Sequence, residues 1–146
     1  MKILQCNCGK PIYVDDGDYL KLRHRSFGCG HNKPVHDTTS MKSIVYYILD
    51  FNDDLYDHQD RDRHNNQRLN LRGCTYSQNN SNRDSKRGPS GYKGVRLTSK
   101  GKWNVRIAVN GKRTDLGTFD TAKEAAIRYN QAAIKLHGEF ALLNII

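Results

Sequence analysis

The chain has 146 residues, enough for one ordinary domain or two small ones. It is 36% hydrophobic with a mean hydropathy of −0.81, and no run of about 18 apolar residues is present, which excludes a membrane-spanning segment. The net charge is +9, and residues 83–113 alone hold ten Lys and Arg against the single acid Asp84, so one band carries the whole excess and suits a polyanionic partner.

The N-terminus, MKILQCNCGK, turns polar too quickly for a signal peptide, so a cytoplasmic location is expected. Cys6, Cys8, Cys29 and Cys74 should then stay reduced. Cys6, Cys8, Cys29 and His31 suggest a structural zinc, with His36 or Cys74 as substitutes. The single residue between Cys6 and Cys8 is shorter than the spacing usual in such sites, which favours small buried or free thiols instead. SIVYYIL, residues 43–49, reads as a buried helix or strand. Between Tyr56 and Asn80 an Asp-His pair is followed by recurrent asparagines, which form neither helices nor strands well. That stretch is either a polar surface loop or a set of oxygen ligands around a base.

Residues 81–91, SNRDSKRGPSG, are polar, basic and bounded by Gly and Pro, and read as a linker. GYKGVRLTS and KWNVRIAV then alternate apolar and polar residues, and Asn110-Gly111 is a hairpin turn leading into KRTDLGTF. Three antiparallel strands are expected, with Trp103, Val105, Ile107 and Val109 on one face and Lys102, Asn104, Arg106 and Ala108 on the other. Thr121 and Glu124 form a capping box, and Gly138 is a helix stop. Ala122, Ala125, Ala126, Tyr129, Ala132, Ala133 and Leu136 share a stripe of the helix between them, which would lie close on the sheet. The uncovered face bears Arg and Lys at alternate positions, and a sheet of this size can enter a major groove.

GYKGVR, GKWNVRI, LGTFDTAKEAAIRYNQAA and HGEFALLN resemble an Apetala-type (AP-two, ethylene-response-factor) DNA-binding domain over about residues 90–146. In that family the strands read the major groove. The resemblance implies DNA contacts from Lys93, Arg96, Thr98, Lys100, Arg106 and Arg113; Lys102 is added because it shares their face. Lys100 and Asp115 stand where the plant proteins often carry tryptophan, so sequence preference does not transfer.

DHQDRDRHNNQRLNLR and CTYSQNNSN resemble an HNH nuclease of the phage and intron homing-endonuclease kind. Asn70 and Asn79 follow His58 by 12 and 21 residues, and YVDDGDYLKL, residues 13–22, is similar to the start of that fold. The resemblance implies a strand ending at His58, a loop, a strand through Asn70 and a helix carrying Asn79. His58 is the implied base, with Asn70 fixing its imidazole, and Asp57 and Asn79 are implied ligands of one Mg²⁺ or Mn²⁺, which prefer hard oxygen donors. Asn65 and Asn66 are expected to shape the loop and His64 to be solvated or to contact phosphate. Arg61, Arg63, Arg68 and Arg72 are candidates for phosphate contacts or solvated charge. Residues 23–50 lack the family's tryptophan and His-Arg pair, and the only tryptophan is Trp103.

The expectation is an α+β protein: an HNH (ββα-metal) nuclease domain over 1–80, a linker over 81–91, and a three-stranded antiparallel sheet packed on one helix over 92–146. Its function would be site-preferring, metal-dependent endonucleolytic cleavage of double-stranded DNA. No membrane or obligate protein partner is expected, and the location would be a bacterial host cell if the gene is phage-borne. The alternative is a catalytically inactive DNA-binding regulator. RNA binding is disfavoured because the sheet lacks an aromatic stacking platform.

Overall fold

Alternation at the start of the chain builds a hairpin. Lys2–Gln5 (β1) pairs antiparallel with Pro11–Val14 (β2), burying Leu4, Ile12 and Val14 and leaving Ile3 exposed. The structure, a computed structural model, describes residues 1–30, 34–50, 55–84 and 88–146. These fall into two units, Met1–Cys74 and Thr75–Ile146.

In the first unit Asp16–Leu22 (α1) follows the hairpin, and Phe27–Gly28 (β3) pairs with His36–Asp37 (β4). SIVYYIL resolves as a helix, Ile44–Leu49 (α2), whose N-cap Ser43 hydroxyl accepts from the Val45 N–H at 3.3 Å. Phe27, Val35, Ile44, Val45 and Ile48 join Ile12, Val14 and Leu22 in one core. Each fully buried Val, Leu, Ile or Phe contributes about 1.5–3 kcal/mol, so the segment that departs most from the family pattern supplies much of this unit's stability.

Two buried carboxylates brace the core. Asp18 takes a two-pronged bond from Arg68, at 2.8 Å to Nε and 2.7 Å to Nη2, and the same guanidinium donates to the Ile48 carbonyl. Asp37 is held down to about 2, first by the Ser40 N–H and then by the Arg25 guanidinium. Tyr56–His58 (β5) and Leu71–Gly73 (β6) close the unit as an antiparallel pair, with Asp57 opposite Arg72.

The second unit opens with Tyr76–Asn82 (α3), capped by a Thr75–Gln78 box. Val95–Leu97 (β7), Trp103–Val109 (β8) and Lys112–Phe119 (β9) form an antiparallel sheet in that order. Asn110 and Gly111 turn between β8 and β9 with φ of 50° and 78°, the left-handed pair a tight hairpin requires. Ala122–His137 (α4) starts at the expected Thr121–Glu124 box and stops at Gly138, φ 54°. Its Ala125, Ala126, Tyr129, Ala132 and Ala133 pack on Val95, Val105 and Ile107. The stripe ends there: Leu136, expected to continue it, is 45% exposed.

Asn144 clamps the C-terminal tail. Its Oδ1 accepts from the Lys93 N–H at 2.6 Å, its Nδ2 donates to the Lys93 carbonyl at 3.1 Å, and its backbone exchanges two bonds with the Asn130 amide. The α3 helix belongs to this unit, because Ser81 Oγ lies 3.0 Å from His137 Nδ1 and Ser77 Oγ accepts from the Asn110 N–H at 2.8 Å. The units therefore divide ahead of the expected break after residue 80, and residues 81 and 82 finish a helix instead of starting a linker. Residues 85–87 of that expected linker lie outside the described residues. No described helix is long and apolar enough to cross a membrane.

Candidate functional site

β5 sends Asp57 and His58 to opposite sides, as successive strand residues must go. Asp57 is 5% exposed, and its Oδ2 accepts from Arg72 Nε at 3.0 Å and Nη2 at 2.7 Å across the strand pair. His58 is half-buried at the strand's end, where the chain enters a long polar loop.

That loop is built from side chains bonding to backbone, which is why it is rich in Asp and Asn. Asn70 Oδ1 accepts from the Asp60 N–H at 3.0 Å, while Asn70 Nδ2 donates to Asp60 Oδ1 at 2.9 Å and to the Asn65 carbonyl at 2.7 Å. Asp60 also takes the Asn65 amide at 2.7 Å and the Asp62 N–H at 2.8 Å. Asn66 is a partner of the imidazole, with Asn66 Oδ1 3.2 Å from His58 Nε2, while the Asn70 amide bonds Asp60 and Asn65. Asn70 instead holds the loop that presents Asn66. The two roles are exchanged relative to the sequence expectation, because spacing along the chain cannot tell which amide of a folded loop turns inward.

Asn66 is fully buried, and its Nδ2 donates to the Arg63 carbonyl at 3.0 Å, which fixes the amide so that Oδ1 faces the ring. An amide oxygen only accepts, so neutral His58 carries its proton on Nε2 and Nδ1 is the basic nitrogen. Burial pushes the His58 pKa below 6.5, outweighing the Asn66 bond and the nearby Asp60 and Asp57 charges, which act to raise it. Burial therefore favours the neutral imidazole, the state in which it accepts a proton.

Asp57 is a hard oxygen donor, the type that suits Mg²⁺ or Mn²⁺, but its Oδ2 is engaged by Arg72. Asn79 lies half-buried on α3, in the second unit. Beside the loop an open cleft of about 390 Å³ is lined by Asp15, Gln59, Asp60, Asn65, Gln67 and Asn70, among others. Of the four candidate phosphate arginines, Arg68 and Arg72 are committed to Asp18 and Asp57, and Arg61 and Arg63 are exposed.

Two further expectations change. His31 lies outside the described residues, but Cys6, Cys8 and Cys29 do converge, and His64 joins them: one ligand atom from each falls within 4.8 Å of every other. The His64 side chain is 19% exposed, so it is not fully solvated. Its link to thiols more than thirty residues earlier depends on loop folding and leaves no trace in local sequence.

In the second unit Arg96 faces Asn104, Arg106 faces Asp115 and Arg113 faces Ala108, so the alternation puts these bases on one surface, with Lys102 and Thr98 at its hairpin end. Arg96, Lys100 and Arg113 are exposed and have no acidic partner among the described residues. Arg106 stands 3.5 Å from Asp115, and Lys102 bonds Asp120 at 2.7 Å. The Thr98 hydroxyl donates to the Lys102 carbonyl and closes the turn. Lys93 is a correction to the expected set. Its ammonium is buried and donates to the Ser81 and Arg83 carbonyls, so it ties the chain ahead of the sheet instead of presenting charge. Asn104 is also buried on this face, bonded to Asp115 and to the Gly117 carbonyl.

Residues 90–139 match the AP2 domain family. Within the chain, 37% aligns at 52% identity with a dehydration-responsive element-binding protein 2D of Arabidopsis thaliana, covering 27% of that protein. A dehydration-responsive element-binding protein 2E of Oryza sativa aligns at 48% identity over 37% of this chain and 18% of its own length. An uncharacterized HNH endonuclease L560 of Acanthamoeba polyphaga mimivirus is 37% identical over 94 residues, 64% of this chain and 49% of that protein. The chain thus spans half or less of the length of these relatives. The mimivirus alignment is longer than the second unit, so it reaches into the first. Residues 90–139 thus match the AP2 domain family, and the chain carrying them extends into sequence that aligns with the mimivirus protein.

Proposed function

We propose that this protein is a site-preferring DNA endonuclease in which His58 is the general base and the AP2 sheet engages the duplex. The observation that carries the reading is the His58–Asn66 pair, a half-buried neutral imidazole held in one tautomer with Nδ1 as its basic nitrogen. Nδ1 takes a proton from water as the water oxygen forms a bond to phosphorus; the ester P–O bond breaks, and the departing oxygen is protonated from solvent. A divalent ion, when bound, stabilises the negative charge that develops on the phosphate and the leaving oxygen. Asp57 is a first-unit residue of the right type to hold it. Arg72 orients that carboxylate, and Asn70 with Asp60 holds the loop in which Asn66 sits.

Supercoiled plasmid incubated with the full chain and Mg²⁺ should yield nicked circles, and EDTA should abolish them. One His58 site cuts one strand at a time, so linear product should lag behind nicked product. One observation favours a second reading, a non-cleaving DNA-binding regulator: Asp57 is already neutralised by Arg72. Plasmid that is bound but never nicked, in Mg²⁺ or Mn²⁺ across a range of salt, would select that reading.

For the sheet, Arg96→Ala and Arg106→Ala should each weaken DNA binding. If each arginine neutralises one phosphate, each variant should also reduce the slope of log affinity against log salt by about one. Fluorescence anisotropy with a labelled duplex at several salt concentrations checks this. Affinities and slopes equal to the parent's would remove these residues from the DNA face.

A further inference from the structure

We propose that Cys6, Cys8, Cys29 and His64 bind one structural zinc ion. Three separate segments supply the ligands, and backbone bonds bring them together independently of any metal. The turn after β1 is closed by the Gly9 N–H donating to the Cys6 carbonyl at 2.8 Å and the Cys6 N–H to the Lys10 carbonyl at 3.0 Å. Gly9 takes φ +82°, a conformation glycine adopts without strain. The Asn7 N–H donates to the Phe27 carbonyl at 2.8 Å, which sets Cys29 beside this turn. The Tyr13 N–H donates to the His64 carbonyl at 2.7 Å, and the Asn66 N–H donates to the Tyr13 carbonyl at 2.8 Å, which sets His64 there too.

The chemistry of the cluster fits zinc. Tetrahedral zinc bonded to three sulfurs and one nitrogen spaces its ligand atoms about 3.5–3.8 Å apart. Atoms already within 4.8 Å of one another reach that spacing by small side-chain rotations. His64 gives an independent sign: its Nε2 is buried with no hydrogen-bond partner among the described residues. Its Nδ1 lies 3.6 Å from Asp62 Oδ1, an arrangement that favours a proton on Nδ1 and a lone pair on Nε2. A bound dication would take all three cysteines as thiolates. Four protein ligands leave no open position for water, so the ion is structural and not a second catalytic centre. The short Cys-x-Cys spacing works because the fold, and not the local sequence, supplies the other two ligands.

The site would tie the first hairpin to the loop in which Asn66 bonds His58. That consequence rests on the nuclease reading, whereas zinc binding itself does not. The test measures metal on the full chain purified from zinc-supplemented cells, with thiols counted in the presence and absence of a chelator. The parent should hold one zinc per chain, and cobalt exchanged into it should give the intense visible absorption of a tetrahedral thiolate site. Cys8→Ser and His64→Ala should weaken zinc binding by at least roughly tenfold, since even loss of an outer partner costs that much. His64→Cys should retain zinc, and so should Cys74→Ser, because that thiol bonds the Leu55 carbonyl and lies outside the cluster. Retained DNA affinity in each variant confirms that the second unit is folded. A parent with four reactive thiols and no zinc or cobalt band overturns the proposal. So does a Cys6–Cys8 or Cys8–Cys29 disulfide, or equal zinc loss from Cys74→Ser and Cys8→Ser.

Discussion

His58→Ala is expected to slow single-turnover plasmid nicking by about 10²–10⁴-fold, or about 2.7–5.5 kcal/mol in barrier height, with DNA affinity essentially unchanged. The ring is half-buried and its Nε2 faces Asn66, so removing it deletes a positioned proton acceptor and no charge that binds DNA. Asn66→Ala should cost less, because the imidazole remains but loses the group that fixes its tautomer. Both variants should show the parent's anisotropy with duplex DNA, since the AP2 unit supplies that affinity in this account. A His58→Ala protein that nicks at the parent's rate would remove His58 from the chemistry.

Gly94→Ala should destabilise the second unit by about 2–6 kcal/mol, the sum of steric overpacking and left-handed backbone strain. Gly94 has φ +76°, and a Cβ there would stand 2.2 Å from Tyr129 Cδ2 and 2.7 Å from the Arg106 carbonyl. Tyr129 is itself buried between α4 and the sheet, so the ring cannot retreat into solvent. Gly101→Ala is the matched control. It has φ +75° but nothing within 4 Å of the added carbon, so it pays for the backbone alone. Trp103, the only tryptophan and half-buried in this unit, reports both transitions in urea by fluorescence. Equal losses from the two variants would show that the close packing of α4 on the sheet is not what demands glycine at 94.

The second unit was legible in sequence because its elements follow local rules. Alternation placed Val105 and Ile107 inward, Asn110-Gly111 marked the turn, and Thr121 with Glu124 marked the start of α4. Lys93 escaped those rules: its exposure depends on the carbonyls of Ser81 and Arg83, which a strand pattern does not contain. In the first unit the strand ending at His58 was legible, but Asn70, expected within the next strand, lies in a single helical turn just ahead of Leu71–Gly73. Asp57 and His58 do end a strand, yet Asp57 faces Arg72 and His58 faces Asn66, because partner choice in a polar loop is settled by folded geometry. Residues 23–50 looked least regular but bury Phe27, Val35, Ile44 and Ile48. Short elements of two to six residues carry too few positions for a period to emerge.

The most direct test of the account is the pH dependence of single-turnover nicking by the parent and by His58→Ala. A base works in its unprotonated form, and burial holds the His58 pKa below 6.5. The parent's rate should therefore rise with pH through a midpoint below 6.5 and be flat by pH 7–8, while His58→Ala should lose that rise along with most of its rate. A midpoint above 6.5, or the same profile in both proteins, would contradict the central claim that a neutral, Asn66-oriented His58 is the general base.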